Sequence, residues 1–454
     1  MTPSASLAAF RFGYGLPVPE GTPVTPDTML AALSAPDEAA QRFAIPGYDW
    51  VHGHVADVAR NKQAAREDAL LQARLDAVVQ GMQVAGLMAM RATLARAIAA
   101  PDGLRERLVA FWADHFTVGA GGREDAITPY AFVEDALRPH LTGRFADMLL
   151  AVVRHPGMLR YLDQTRSVGP NSRRASRRGG GLNENLAREL LELHTMGVGA
   201  AYDQSDVRQL ALLLTGLTYD DRRGFSYDDR MAEPGPKTLL GQTYDGPGEA
   251  AIAAFLRDLS VRPDTARHIA RKLAVHFLSD APDPAVVDAM ATAWTASGGD
   301  LIQVYTALLR HPAALSEPAA KARQPWDFLA AALRGLGIRG EDVMGWPDEW
   351  LRDALILPLR AMGQAWKSPP GPDGWGEAIE TWITPQGLAE RISWAMRWPT
   401  ELAAPLPDPQ AFAQTVLADR AAPATLWACE RAENRARGGG HRACQSRIQP
   451  EMNR

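Results

Sequence analysis

At 454 residues the chain can form one large domain or two closely packed ones, and 46% hydrophobic with 22% charged content is the balance of a globular protein. A net charge of -5 excludes any overall attraction to nucleic acid or acidic membranes, so a basic site has to be local. The only cysteines, Cys429 and Cys444, lack metal-type spacing, which excludes a disulfide framework and a zinc knuckle and leaves two free thiols.

The chain starts MTPSASLAAFRF, without a basic leader and apolar run, and no later window holds about 18 uncharged apolar residues. No membrane span is expected, and on its own signals the protein stays in the cytoplasm. Residues 1–53 are rich in proline and turns, with one short helical pattern at 28–33, and read as an irregular segment wrapped over the surface of the rest of the chain. Residues 54–436 read as a helical domain. Leu70, Leu71, Leu75, Val78, Val79, Met82 and Leu87 recur at three- and four-residue steps, and the pattern continues over 104–116, 128–140, 145–154, 206–215, 250–259, 265–277, 284–296, 301–309 and 325–336. The predicted fold is mainly α, a large multi-helix assembly with at most one small β-hairpin, made from 218–227 and 237–244 around Pro234, Gly235 and Pro236. A division into two packed lobes is expected near 320–340, where proline and tryptophan begin to crowd. Eight of the 12 tryptophans lie between Trp326 and Trp398, a density that suits buried aromatic packing better than a stacking platform for sugars or bases.

The least generic stretch is 166–199. Arg173, Arg174, Arg177 and Arg178 stand beside Gly179, Gly180 and Gly181 and lead into a helix, a combination of guanidinium groups and free amides that favours an anion. Arg173, Arg174, Arg177, Arg178, Gly180, Gly181 and Asn183 form the candidate anion site. Asn183 is a good N-cap, Leu182 a staple and Gly197 a stop, which predicts a helix over 184–196. On that helix Leu186, Ala187, Leu190, Leu193 and His194 share one side, and Asn185, Arg188, Glu189 and Glu192 the other. Glu189 and His194 are about 140° apart, so this helix cannot hold a metal by itself. The plain alternative is that Arg188 pairs with Glu184 and Glu192 on a wet face while His194 is a core histidine.

In the preceding helix Arg107, Phe111, Asp114 and His115 share one arc of about 100°, so FWADHF offers a second His next to a carboxylate. Glu189, His194, His115 and Asp114 are therefore the candidate catalytic set, provided the two segments meet in space. His155, His268, His276 and His311 fall on or at the ends of predicted helices, with Lys272 and His276 four apart beside Asp280, and most of them are expected to be caps or surface groups. The sequence contains no Gly-x-Ser-x-Gly elbow, Walker loop or Gly-x-Gly-x-x-Gly after a strand, which argues against an α/β serine hydrolase, a P-loop NTPase and a dinucleotide enzyme. Arg177-Arg178 is internal and so is no export signal.

Six segments resemble the bacterial domain-of-unknown-function 1800 family: RFGYG (11–15), RERLVAFWADHFTVG (105–119), MLRYLDQTRSVGPNSRRASRRGGGLNENLARELLELHTMGVG (158–199), GPKTLLGQ (235–242), RKLAVHFLSD (271–280) and PPGPDGWG (369–376). The resemblance implies no activity, cofactor or metal that can be carried over. It does imply company, since members often accompany a neighbouring protein similar to alkaline phosphatases and sulfatases. Many relatives carry export signals, so this chain either works in the cytoplasm or leaves with a signal-bearing partner. The family's ending resembles an apolar helix finishing near Ser-Pro-x-Phe, whereas RGGGHRACQSRIQPEMNR here has no helical period. Met452-Asn453 is encoded ATG-AAY, which contains TGA one base out of frame. Residues 437–454 are accordingly read as a disordered, frameshifted tail.

Three functions fit these residues. The first is a helical recognition or partner protein with an anion-binding loop and helix start. The second is an acid/base or metal-assisted hydrolase using Glu189 with His194 or His115. The third is a structural scaffold.

Overall fold

The computed structural model describes residues 3–18, 24–61, 63–120, 122, 125–220, 224–316 and 321–432. The tail 437–454, and Cys444 with it, lies outside the described residues, while Cys429 is a buried free thiol. The architecture is mainly α, as expected, and no helix among the described residues is long and apolar enough to cross a membrane.

Two hydrophobic clusters organise it. The larger draws on residues from Ala8 to Ala314 and includes Phe12, Trp112, Phe145, Leu190, Leu210, Phe255 and Trp294. The smaller joins Tyr14, Tyr48, Val51 and the second half of the helix Ala69–Ala99 to residues between Trp326 and Trp398. The 31-residue helix Ala69–Ala99 begins at Asp68, whose carboxylate accepts from the Leu70 and Leu71 amides. Its first half projects, with Leu70 85% exposed, and its burial starts in earnest at Met82. The tryptophans pack as interior groups: Trp326, Trp346, Trp382, Trp394 and Trp398 are buried, and Trp326 stacks on Trp366 at 3.9 Å between ring centres.

Two expectations need correction. Residues 1–53 are not an irregular surface wrap. Helices Pro3–Phe12, Pro26–Ser34 and Glu38–Arg42 lie there, and Leu7, Ala8, Ala9 and Phe12 of the first are buried. A nine-residue SASLAAFRF run with few turn-formers has the small and apolar positions for this, but proline density nearby masks it. The two β stretches also do not pair with each other. β1 (Leu217–Asp220) pairs antiparallel with β2 (Gly224–Tyr227), and β3 (Lys237–Leu239) with β4 (Gln242–Tyr244), giving two separate two-stranded sheets. In the second, Leu240 and Gly241 both adopt positive φ, so the turn sits inside the 237–244 run itself.

Candidate functional site

The segments 104–115, 263–277 and 369–377 meet at one place, with the end of the 166–199 stretch beneath them. His115 ends the helix Leu104–His115. Its ring lies 6.0 Å from that of His194, and its Nε2 is 3.2 Å from the His194 carbonyl oxygen. His268 adds its Nε2 at 3.3 Å from the Leu193 carbonyl oxygen. His115 and His194 are each 1% exposed, and the Nδ1 atoms of both lack a hydrogen-bond partner among the described residues. Burial, reinforced by the nearby Lys272 cation, keeps all three imidazoles neutral: His115 lies well below its ordinary value, His194 falls to about 3 and His268 to about 4. His194 is thus the core histidine that its helix face predicts, now packed against a second one.

Asp114 lines a cleft with His115, Lys272, Trp375 and Glu377. Its carboxylate accepts from the Trp375 amide, 3.0 Å to Oδ1 and 3.2 Å to Oδ2. Gly374 makes that approach possible. Its φ is +81°, and a Cβ there would lie 2.7 Å from the Asp114 carboxyl. Burial pushes Asp114 up to about 7, with Glu377 adding to the rise and the Trp375 amide, Lys272 and Lys367 opposing it. Lys272 comes from the helix Pro263–Phe277, where His268, Lys272 and His276 follow at four-residue steps and so share a face. It makes no hydrogen bond or ion pair among the described residues. Burial lowers its pKa, and Asp114, Glu377 and Asp373 offset part of that.

Beside this pair, His276 Nδ1 lies 2.6 Å from Glu377 Oε1, and Lys321 bridges Glu377 at 2.9 Å and Asp280 at 2.8 Å. Burial alone would raise Glu377, but His276 and Lys321 hold it below the usual carboxylate range. Lys367 completes the surround. It lies over the Tyr130 and Trp366 rings at 5.7 Å each, in a positive-φ conformation, and burial lowers its pKa to about 8. Lys367, Tyr130, Trp366 and His276 border an aromatic cavity of about 1050 Å³ with its mouth, which also takes in Asp114, Trp326 and Trp375, while Lys272 and Glu377 share a separate cleft with Asp114, His115 and Trp375.

Glu189 is not drawn into the histidine cluster. It is half-buried at the rim, its pKa raised by burial and then by Glu192 and Asp373, and it meets the residue 194 position only through the backbone, where the His194 amide donates to the Glu189 carbonyl at 2.9 Å. The helix that carries it is Asn185–Glu192, shorter than the predicted 184–196. Beyond it the chain widens, with the Gly197 amide reaching the Leu191 carbonyl; Gly197 has φ +90°, and a Cβ there would meet His268 at 2.6 Å, so both counts favour glycine. The N-cap is Glu184 and not Asn183, which precedes it and accepts from the Asn185 amide at 2.8 Å while its own side-chain amide donates to the Leu162 and Asp163 carbonyls. Both predicted ion pairs are present, Arg188 to Glu184 at 3.7 Å and to Glu192 at 3.4 Å.

The arginine loop lies apart. Arg173, Arg174, Arg177 and Arg178 flank or form the short helix Ala175–Arg178 and are all exposed. Gly180 packs on Val168, and the Gly181 carbonyl accepts from the Val168 amide at 3.0 Å. Among the described residues no hydrogen bond or ion pair joins this loop to the histidines, and no group of three or more His, Cys, Asp or Glu is placed to hold a metal ion.

Residues 11–446 match the family described as Protein of unknown function (DUF1800). The chain belongs to that family. No curated protein and no solved structure matches this DUF1800 protein.

Of the four candidate catalytic residues Asp114, His115 and His194 lie close together and Glu189 stays at the rim; sequence reasoning gave Lys272 no role and did not single out Lys321, Lys367, Trp375 or Glu377. Of the histidines expected mostly as caps or surface groups, His268 and His276 belong to the buried cluster, whereas His155 and His311 do cap, accepting from the Gly157 and Ala313 amides. One signal could have found the missed residues. Only five of the 48 basic residues are lysines, and three of those five, Lys272, Lys321 and Lys367, surround Asp114 and Glu377. Lysine and arginine are not interchangeable at such sites, so lysines kept in an arginine-rich chain single out positions to inspect.

Proposed function

We propose that this DUF1800 protein is an enzyme whose acid–base site is the pair Asp114 and Lys272. The observation that carries the reading is a half-buried lysine that makes no ion pair among the described residues and lines one cleft with a carboxyl whose pKa is pushed up to about 7. Such a pair holds one exchangeable proton near neutrality, which is what general acid–base catalysis requires. Hydrolysis suits it, because that reaction asks only for a base to draw a proton from water and an acid to return one to the leaving group. The neutral His115 supplies one uncharged wall of the cleft, and the Glu377–His276–Lys321 triad fixes the segment that presents the Trp375 amide.

The test is a panel of chromogenic carboxylic, phosphoric and sulfuric esters. Asp114→Asn and Lys272→Met are each expected to reduce the hydrolysis found by about 10²- to 10⁴-fold. Full activity in both variants overturns the proposal. Amine labelling supplies an independent readout: Lys272 should react at pH 7.5 faster than a model lysine peptide, and faster still in Asp114→Asn, where the carboxylate that favours the ammonium is gone.

A second reading rests on the loop. Arg173, Arg177 and Arg178 are exposed and make no side-chain bond among the described residues. That favours an anionic group on a partner, such as the phosphatase- or sulfatase-like neighbour that the family resemblance implies. Replacing Arg173, Arg174, Arg177 and Arg178 with Gln is expected to abolish salt-sensitive capture of that neighbour, and capture of unchanged strength sinks the idea.

A further inference from the structure

A second cavity, about 640 Å³ with its mouth, lies on the far side of His276 and Glu377 from Asp114. Arg11, Arg107, Lys321, Arg323 and Arg420 line it, against two carboxylates, Asp327 and Glu377. Both carboxylates are already committed: Asp327 pairs with Arg107, and Glu377 with Lys321 and His276. Arg323 is 8% exposed, and no carboxylate among the described residues reaches it. Its Nη2 donates to the Phe10 carbonyl at 3.0 Å, and its guanidinium lies over the Phe10 ring at 6.0 Å, neither of which supplies a counter-charge. Arg107 is 6% exposed, and its Nε, which can only donate, has no acceptor among the described residues.

Buried charges are ordinarily paired and buried donors ordinarily satisfied, so an uncompensated guanidinium beside an orphaned guanidinium N–H describes a missing acceptor that carries negative charge. We propose that this cavity binds a tetrahedral oxyanion, phosphate or sulfate, through Arg323 and Arg107, either as the free ion or as the head of a monoester. Guanidinium forks match the oxygen spacing of such an ion and lose little hydration on meeting it. Burial and the neighbouring Arg107 push Arg323 down to about 9, a cost that an anion would relieve. The site is separate from the Arg173–Arg178 loop and independent of the Asp114–Lys272 reading.

The experiment is thermal unfolding of the full chain in potassium phosphate, potassium sulfate and potassium chloride at equal ionic strength. A saturable rise in Tm of about 3–6 °C is expected with phosphate or sulfate over chloride. Arg323→Met should remove that rise, while the four-fold Gln variant of the arginine loop and Lys272→Met should keep it. A rise of unchanged size in Arg323→Met, an equal rise in chloride, or loss of the rise in the loop variant overturns the proposal. Equilibrium dialysis of radiolabelled phosphate against the unmodified protein tests the same point without a variant: one site per chain, displaced by sulfate, is the expected result, and no retained phosphate overturns it. Competition by phenyl phosphate assigns the site to monoesters, and its failure to compete assigns it to the free ion.

Discussion

Asp114 illustrates how one residue can couple function to stability. Its carboxyl titrates near 7 in the folded protein against 3.8 for a free side chain, so between these values the folded state holds more protons than the unfolded one. Stability contributed at this position is therefore present at low pH and lost as pH rises from about 4 to about 7, after which the loss is constant. Asp114→Asn, which cannot ionise, is expected to stabilise the protein by about 1–2 kcal/mol at pH 8 while changing it little below pH 4. Denaturant unfolding across that range checks the prediction, and a stability gain independent of pH would contradict it. The buried His194 and His268 act in the opposite sense. Their depressed values make the unfolded state the better proton binder below about 6.5, so they withdraw stability as pH falls towards 4.

At the scale of elements, local pattern was legible and mutual placement was not. Apolar periodicity identified the helices 104–115 and 263–277, because a face buried against a core has to repeat at about 3.6 residues. It could not say that the His268–Lys272–His276 face opposes Asp114, since that depends on contacts across some 150 residues. Helix ends were less legible than helix faces: the N-cap is Glu184, one residue after Asn183, and the helix ends at Glu192, with Gly197 closing a widened turn packed against His268. The segment around Gly374 is the clearest case of an element read as motif and not as chemistry. Gly374→Ala adds a Cβ 2.7 Å from the Asp114 carboxyl at φ +81°, so it is expected to cost about 1–3 kcal/mol and to expel the carboxylate from the Trp375 amide. The pH-dependent stability change ascribed to Asp114 should shrink with it, and retention of the full change would show that the approach is not needed.

Over the whole molecule, the first helix is a structural member of the larger core, and its worth can be measured. Phe12 is fully buried against Phe277 at 5.5 Å, so Phe12→Ala should lower stability by about 3–5 kcal/mol in equilibrium unfolding, a loss that a surface wrap would not show. That helix is stitched to the far end of the chain. Arg11 donates to the Ala314 and Ser316 carbonyls, Arg323 donates back to Phe10, and Arg334 donates to the Pro17, Ile98 and Pro101 carbonyls. These contacts set an order of events during synthesis. At about 5–20 residues per second, the first helix leaves the ribosome roughly 15–60 s before residue 334 exists to close over the chain behind it. For that interval the hydrogen bonds from Arg323 and Arg334 are missing from the nascent polypeptide, and this end of the chain becomes native only when they arrive.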